Sequence, residues 1–185
     1  MLQARTRLIL VTAVSTLLGA GVLGAVVGTG VLVSGVYDIG ATTAHLPTVY
    51  KLLEQGKNFS VRHHAQSVLV PPLGGRAQLL RGAAVYRAHC EQCHGGPGVA
   101  PDKHGLSMQP VPGPLVDATT HWRTREIYWI TRHGIKMAGM PAWEYHMSEA
   151  DLWATTAFVA QLQTMSVQDY RAMTTAASGA QEKTP

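Results

Sequence analysis

The chain is 185 residues long, 46% hydrophobic and 14% charged, with 15 Lys and Arg against 11 Asp and Glu for a formal net charge of +4. Its two cysteines, Cys90 and Cys93, fall in one short motif, so no disulfide framework is available. Over residues 76–167 eight basic residues face seven acidic ones, and this near balance gives no support to nucleic-acid binding.

Arg5 and Arg7 precede an uncharged apolar run from Leu8 to Tyr37 that ends at Asp38. About 20 apolar residues cross a bilayer as a helix, whereas the apolar part of a cleaved signal peptide spans roughly 7 to 15. The run is therefore read as an uncleaved anchor over residues 1–37. Basic residues on its N-terminal side place that end in the cytoplasm and everything after Asp38 outside, in the periplasm if the membrane is a bacterial inner membrane. Thr16, Ala20, Gly24 and Gly28 form a ridge of small residues at four-residue spacing, which lets a second helix approach within lipid. Small residues are also common in membrane spans without such a partner.

Residues 38–75 read as an arm. Pro47 suits a helix start, Val49, Leu52 and Leu53 share a face, and Gly56 suits a helix end. A second helical stretch is expected from Phe59 to about Gln66, followed by extended chain over Val68 to Leu73, where Pro71 and Pro72 forbid a helix. So apolar an arm is not a free tether and should pack on the following domain or on a partner subunit. His45, His63 and His64 are taken as surface or interface residues.

The domain proper is expected over residues 76–167. A first helix runs from Gly75 to Cys90, with Leu79, Leu80, Ala83, Ala84 and Tyr86 as its apolar content. It leads into Cys90-Glu91-Gln92-Cys93-His94, a C-x-x-C-H motif for covalent haem attachment. Two thiols can each add across a haem vinyl group while the adjacent imidazole reaches the iron. A zinc site would need further Cys or His ligands at matching spacing, and there is no second cysteine pair. A redox dithiol would follow a strand, and none is signalled here. Haem c, one group held covalently, is thus the expected cofactor, and its bulk supplements a core that is small for about 90 residues.

Residues 95–115 are rich in Gly and Pro and read as a covering loop. The next helix is expected from Thr124 to His133, stopped by Gly134, with Ile127, Ile130 and one tryptophan inward. The last begins at the capping signal Ser148-Glu149-Ala150-Asp151 and buries Leu152, Thr155, Thr156, Val159 and Leu162. Residues 168–185 read as a polar tail.

C-E-Q-C-H at 90–94, the run Gly134-Ile-Lys-Met-Ala-Gly-Met140-Pro141-Ala-Trp143, Gly82 and Tyr86 on the first helix and Phe158 on the last resemble the class I, mono-haem c-type cytochromes with a membrane anchor. The resemblance implies an all-α fold: one N-terminal transmembrane helix, then a haem domain in which the last helix crosses the first. It implies His94 as one axial ligand and a methionine as the other. Met140 holds the family's position in G-M-P-A-W; Met137 is its rival, and His133 or His146 would give bis-histidine ligation. Met108, Met147 and Met165 read as packing residues. Tyr86, Pro114, Leu115, Pro141 and Trp143 are the expected haem-pocket residues. Pro112 and Pro114 both stand where the family orients its axial imidazole through a backbone carbonyl. Trp143, Trp129 and Tyr128 are the candidates for a haem propionate, with Trp143 preferred.

Axial sites filled by His and Met leave no open position for substrate and raise the potential relative to two histidines. Electron transfer is expected rather than catalysis. Three roles follow: a haem subunit or tethered donor within a respiratory membrane complex, an independent anchored shuttle between a quinol-oxidising complex and a terminal oxidase, or a catalytic or ligand-sensing haem protein. The first is preferred, with membrane-embedded respiratory or dehydrogenase subunits, a redox protein and the lipid bilayer as partners. Arg123, Arg125, Arg132 and Lys136 are a possible docking cluster, or simply a solvated face.

Overall fold

The computed structural model describes residues 2–181, which form two compact units, one through Thr43 and one from Ala44 onward. The described residues are helical throughout, with no strand beyond an isolated bridge between Gly96 and Val99.

The first unit is helix α1, Leu2–Ser34, and the turn that follows it. At 1.5 Å per residue its 33 residues reach about 50 Å. By length and composition Gln3–Ser34 can cross a membrane, and every side chain described along it is exposed. Its apolar surface therefore has no protein cover within this unit, as lipid-facing residues require. Beyond it Asp38 closes a turn: Oδ1 accepts from the Gly40 amide at 2.8 Å and Oδ2 from the Thr43 hydroxyl at 2.9 Å.

The second unit opens with α2, Pro47–His64. It is one helix where two were expected. Gly56 costs only about 1 kcal/mol in an exposed helix interior, and burial of Val61 and Ala65 holds the C-terminal half in register. This arm packs on α7, Thr124–His133, so it belongs with the domain that follows it. His64 stacks on Trp129 at a centroid distance of 5.7 Å.

The core is the crossing of α3, Arg76–His89, with α8, Glu149–Gln161. Gly82 makes the crossing close: a Cβ there would lie 2.1 Å from the Ala154 carbonyl oxygen and 2.9 Å from the Phe158 Cβ. One turn on, Tyr86 meets Phe158 with ring centroids 5.4 Å apart. The five residues expected on the inner face of α8 are all buried, and Ala154, Ala157 and Phe158 are buried with them. At its start the Ser148 hydroxyl accepts from the Asp151 amide. The Asp151 carboxylate reaches Arg81 on α3, 2.6 Å away, and ties the two helices together.

The stretch expected as a polar tail is instead α9, Val167–Gln181, packed on α3. Tyr170 is 1% exposed and joins the core cluster beside Tyr86 and Phe158. Tyr170, Met173 and Thr174 recur at helical spacing, but the Ala, Thr and Ser around them dilute the signal. The rest of the expected tail, 182–185, lies outside the described residues.

Candidate functional site

Cys90 ends α3 and starts the single turn α4, Glu91–His94. The amides of Cys93 and His94 both donate to its carbonyl, at 3.1 and 3.0 Å. One helical turn therefore brings Cys90, Cys93 and His94 to one side, the spacing of i, i+3 and i+4. Tyr86, expected in the haem pocket, is fully buried beside the motif, and its hydroxyl donates to the Gly95 carbonyl at 2.7 Å. Tyr170 donates to Glu91, within the motif itself. Two phenols thus brace the motif from behind, and the second was missed because its segment did not read as structured.

Burial pushes the Cys90 thiol up to about 12, and burial with the nearby Asp102 carboxylate raises Cys93 as well. A dithiol redox centre needs the opposite, a thiolate stabilised near neutral pH. Cys90 is buried and Cys93 partly so, and both thiols are held in their neutral form, unlike those of a redox dithiol.

The loop beyond the motif returns to His94. Asp102 caps α5, Lys103–Leu106, by accepting from the His104 amide at 2.8 Å. The chain then runs to Gly113, whose carbonyl oxygen lies 2.7 Å from His94 Nδ1. A carbonyl only accepts, so Nδ1 carries the proton and Nε2 presents its lone pair. Burial lowers the His94 pKa and keeps the ring neutral, partly offset by the Gly113 hydrogen bond. Of the two prolines considered, neither supplies the carbonyl: Gly113, between Pro112 and Pro114, does so. Pro114 itself is exposed, while Leu115 packs partly buried against the core.

On the distal side α7 stops at Gly134, with φ +67°, and a Cβ there would stand 2.6 Å from the Pro141 carbonyl carbon. The Ile135 amide donates to the Met140 carbonyl at 3.1 Å, which closes the loop. Closure separates the rival methionines. Met137 points outward, 96% exposed at φ +58°, whereas Met140 is half-buried. Met108 rests against Gly139, beside Met140, in keeping with a packing role. His133 is engaged with Glu144 at 3.2 Å and His146 is exposed. Pro141 is exposed at the loop's end.

The three aromatic candidates also separate. Tyr128 stacks on Trp153, and its hydroxyl is bonded to Glu149 and to Arg132. Trp129 lies between His64 and His133. Trp143 is different, because its Nε1 is buried without a partner among the described residues. A buried orphan donor costs about 1–3 kcal/mol and calls for an acceptor; a haem propionate is one. The donor set therefore fits haem: two neutral thiols and an imidazole on one helical turn, a half-buried methionine in the facing loop and one buried N–H without a partner among the described residues. Arg132, by contrast, is spent on Glu144 and Glu149, so the expected basic cluster loses one of its four charges.

Residues 77–159 match the family model described as cytochrome c oxidase, cbb3-type, subunit III. The match marks this region as a c-type cytochrome domain, which supports an electron-transfer haem protein, and it follows an apolar N-terminal helix able by length and composition to span a membrane. Comparison with curated proteins gave no match.

Proposed function

We propose that the chain is a membrane-anchored electron-transfer cytochrome c that serves as a haem subunit of, or a tethered donor within, a bacterial respiratory membrane complex. One haem would be held by thioethers to Cys90 and Cys93, between His94 and Met140. Bound haem supplies the one-electron exchange; the chain's residues fix its position and potential. His94, oriented by Gly113, offers Nε2 to the iron, and Met140 offers a thioether that favours the reduced state. Leu115 gives apolar cover and Trp143 a hydrogen bond to a propionate.

The observation that carries the reading is the His94 to Gly113 bond, because it leaves the Nε2 lone pair free to bind iron on the same helical turn as the two thiols. The matched family is described as an oxidase subunit, and the small-residue ridge on α1 suits a helical partner. An anchor with N-terminal arginines inside would hold the haem domain on the periplasmic face, where its concentration at a membrane acceptor is high. Purification in mild detergent tests the complex: co-elution with integral membrane subunits and haem is expected, and a monodisperse monomer would favour the independent shuttle.

A further inference from the structure

Helix α2 is more apolar outside than inside. Its domain-facing side carries Val61, buried like Ala65 just past the helix end, and Lys57, which pairs with Glu54 and lies 5.7 Å from the centroid of the Trp122 ring. The opposite side exposes Leu52 at 69%, Phe59 at 70% and Leu53 at 55%, with Val49 half-buried beside them. Positions 49, 52, 53 and 59 are separated by three, four and seven residues, so they form one stripe. Leu46, exposed just before the helix begins, extends it at the N-terminal end, whereas Tyr50 falls on the Val61 side. Lys51 and Arg62 run along the polar edge of the stripe, and the sole acidic residue of the helix, Glu54, is neutralised by Lys57.

We infer that this stripe lies in the interfacial layer of the same bilayer that α1 spans. Three observations select lipid as the occupant. Only residues 35–46 separate the end of α1 from Pro47, so the stripe is held within about 40 Å of a membrane-spanning helix at full extension. The turn from Asp38 to Thr43 shortens that reach further. The helix also has the make-up of an interfacial one, with large apolar residues on one arc and Lys and Arg at its edge, where anionic headgroups lie. Because α2 is docked on α7 through the His64 and Trp129 stack, seating it would fix the haem domain's orientation on the membrane surface.

The inference rests on α1 as a membrane anchor and on haem occupying both native cysteines, and the test separates all three. Full-length, haem-loaded protein is reconstituted in vesicles of phosphatidylcholine and phosphatidylglycerol. Nitroxide labels are placed singly through Leu17→Cys in α1, Leu52→Cys and Phe59→Cys in α2, and Gln168→Cys in α9, and spectra are recorded on reduced protein. Relaxation by oxygen, which dissolves in lipid, is compared with relaxation by a water-soluble nickel chelate. The expected result is oxygen-dominated relaxation at 17, 52 and 59 and nickel-dominated relaxation at 168, with no label taken up by the unsubstituted protein. Nickel-dominated relaxation at 52 and 59 while 17 stays lipid-exposed overturns the inference and leaves the anchor intact. Nickel-dominated relaxation at 17 overturns the anchor instead. Label uptake by the unsubstituted protein contradicts the thioethers. Positions 52 and 59 that are water-exposed in vesicles but shielded in native membranes assign the stripe to a protein partner and also overturn the inference.

Discussion

The Nδ1 of His94 lies 2.7 Å from the backbone oxygen of Gly113, nineteen residues further along the chain. The bond fixes the imidazole's tautomer, and α5 between the two residues is what brings the loop back. Gly105 on that helix sits so close to the motif that a Cβ would stand 2.8 Å from the Cys93 Cα. The proximal side is thus assembled by the fold itself.

The distal side is tested by the two methionines of one loop. Met140→Ala should remove the weak red absorption band given by a sulfur ligand on ferric haem iron. It should also lower the midpoint by about 0.1 V or more, within the roughly 0.8 V range that axial ligands control. Met137→Ala should leave both unchanged, since that side chain points into solvent. Redox titration of the two variants decides between them; an unshifted Met140→Ala midpoint excludes Met140 as ligand.

Trp143→Phe should retain haem and the ring's bulk while deleting the buried N–H. A hydrogen bond to a carboxylate favours its charged form, so removing the donor raises the propionate pKa. The inflection in midpoint against pH should move to higher pH. Superimposable curves for the variant and the parent would assign Trp143 to packing alone.

Much of this was legible because the determining patterns are short. C-x-x-C-H needs one helical turn, Ser148 and Asp151 sit three apart, and the inner stripe of α8 follows helical period. The Gly82 crossing, by contrast, was implied only by the family resemblance that Gly82, Tyr86 and Phe158 carry. What escaped depends on tertiary contact. Gly56 looked like a helix end because local propensity carries no information about Val61 and Ala65 packing beyond it. The carbonyl that meets His94 belongs to whichever residue the loop brings round, and two prolines flanking Gly113 drew attention from it. Tyr170 stood in a stretch of Ala, Thr and Ser whose polarity masked a single anchoring ring.

Tyr170 is therefore the sharpest test of the C-terminal helix. Tyr170→Ala should cost about 3–5 kcal/mol, as expected for emptying a buried aromatic site, and should loosen the motif through Glu91 and Gly96, whose neighbourhood the ring fills. Tyr170→Phe keeps the ring and loses only the bond to Glu91, for about 1 kcal/mol. Urea unfolding of the haem-loaded variants measures both. Equal, small losses would mean that α9 is not part of the cooperative core.

The bridge between Arg81 and Asp151 gives stability a defined dependence on pH. The hydrogen bond from Arg81 holds the Asp151 carboxyl below the usual carboxylate range, with Ser148 adding to the effect against some burial. A group whose folded pKa is depressed stabilises the protein above its unfolded value, near 4, and that stabilisation disappears as pH falls through the folded value. Arg81 is half exposed, so solvent screening keeps the contribution to about 0.5–1 kcal/mol. Asp151→Asn should accordingly lower the urea midpoint at pH 7, with the gap to the parent protein narrowing as pH falls from about 4 through the depressed folded value, where the parent's own carboxylate protonates. A gap that stays constant across this range would show that the side chain acts through a pH-independent contact at the start of α8, and not through its charge.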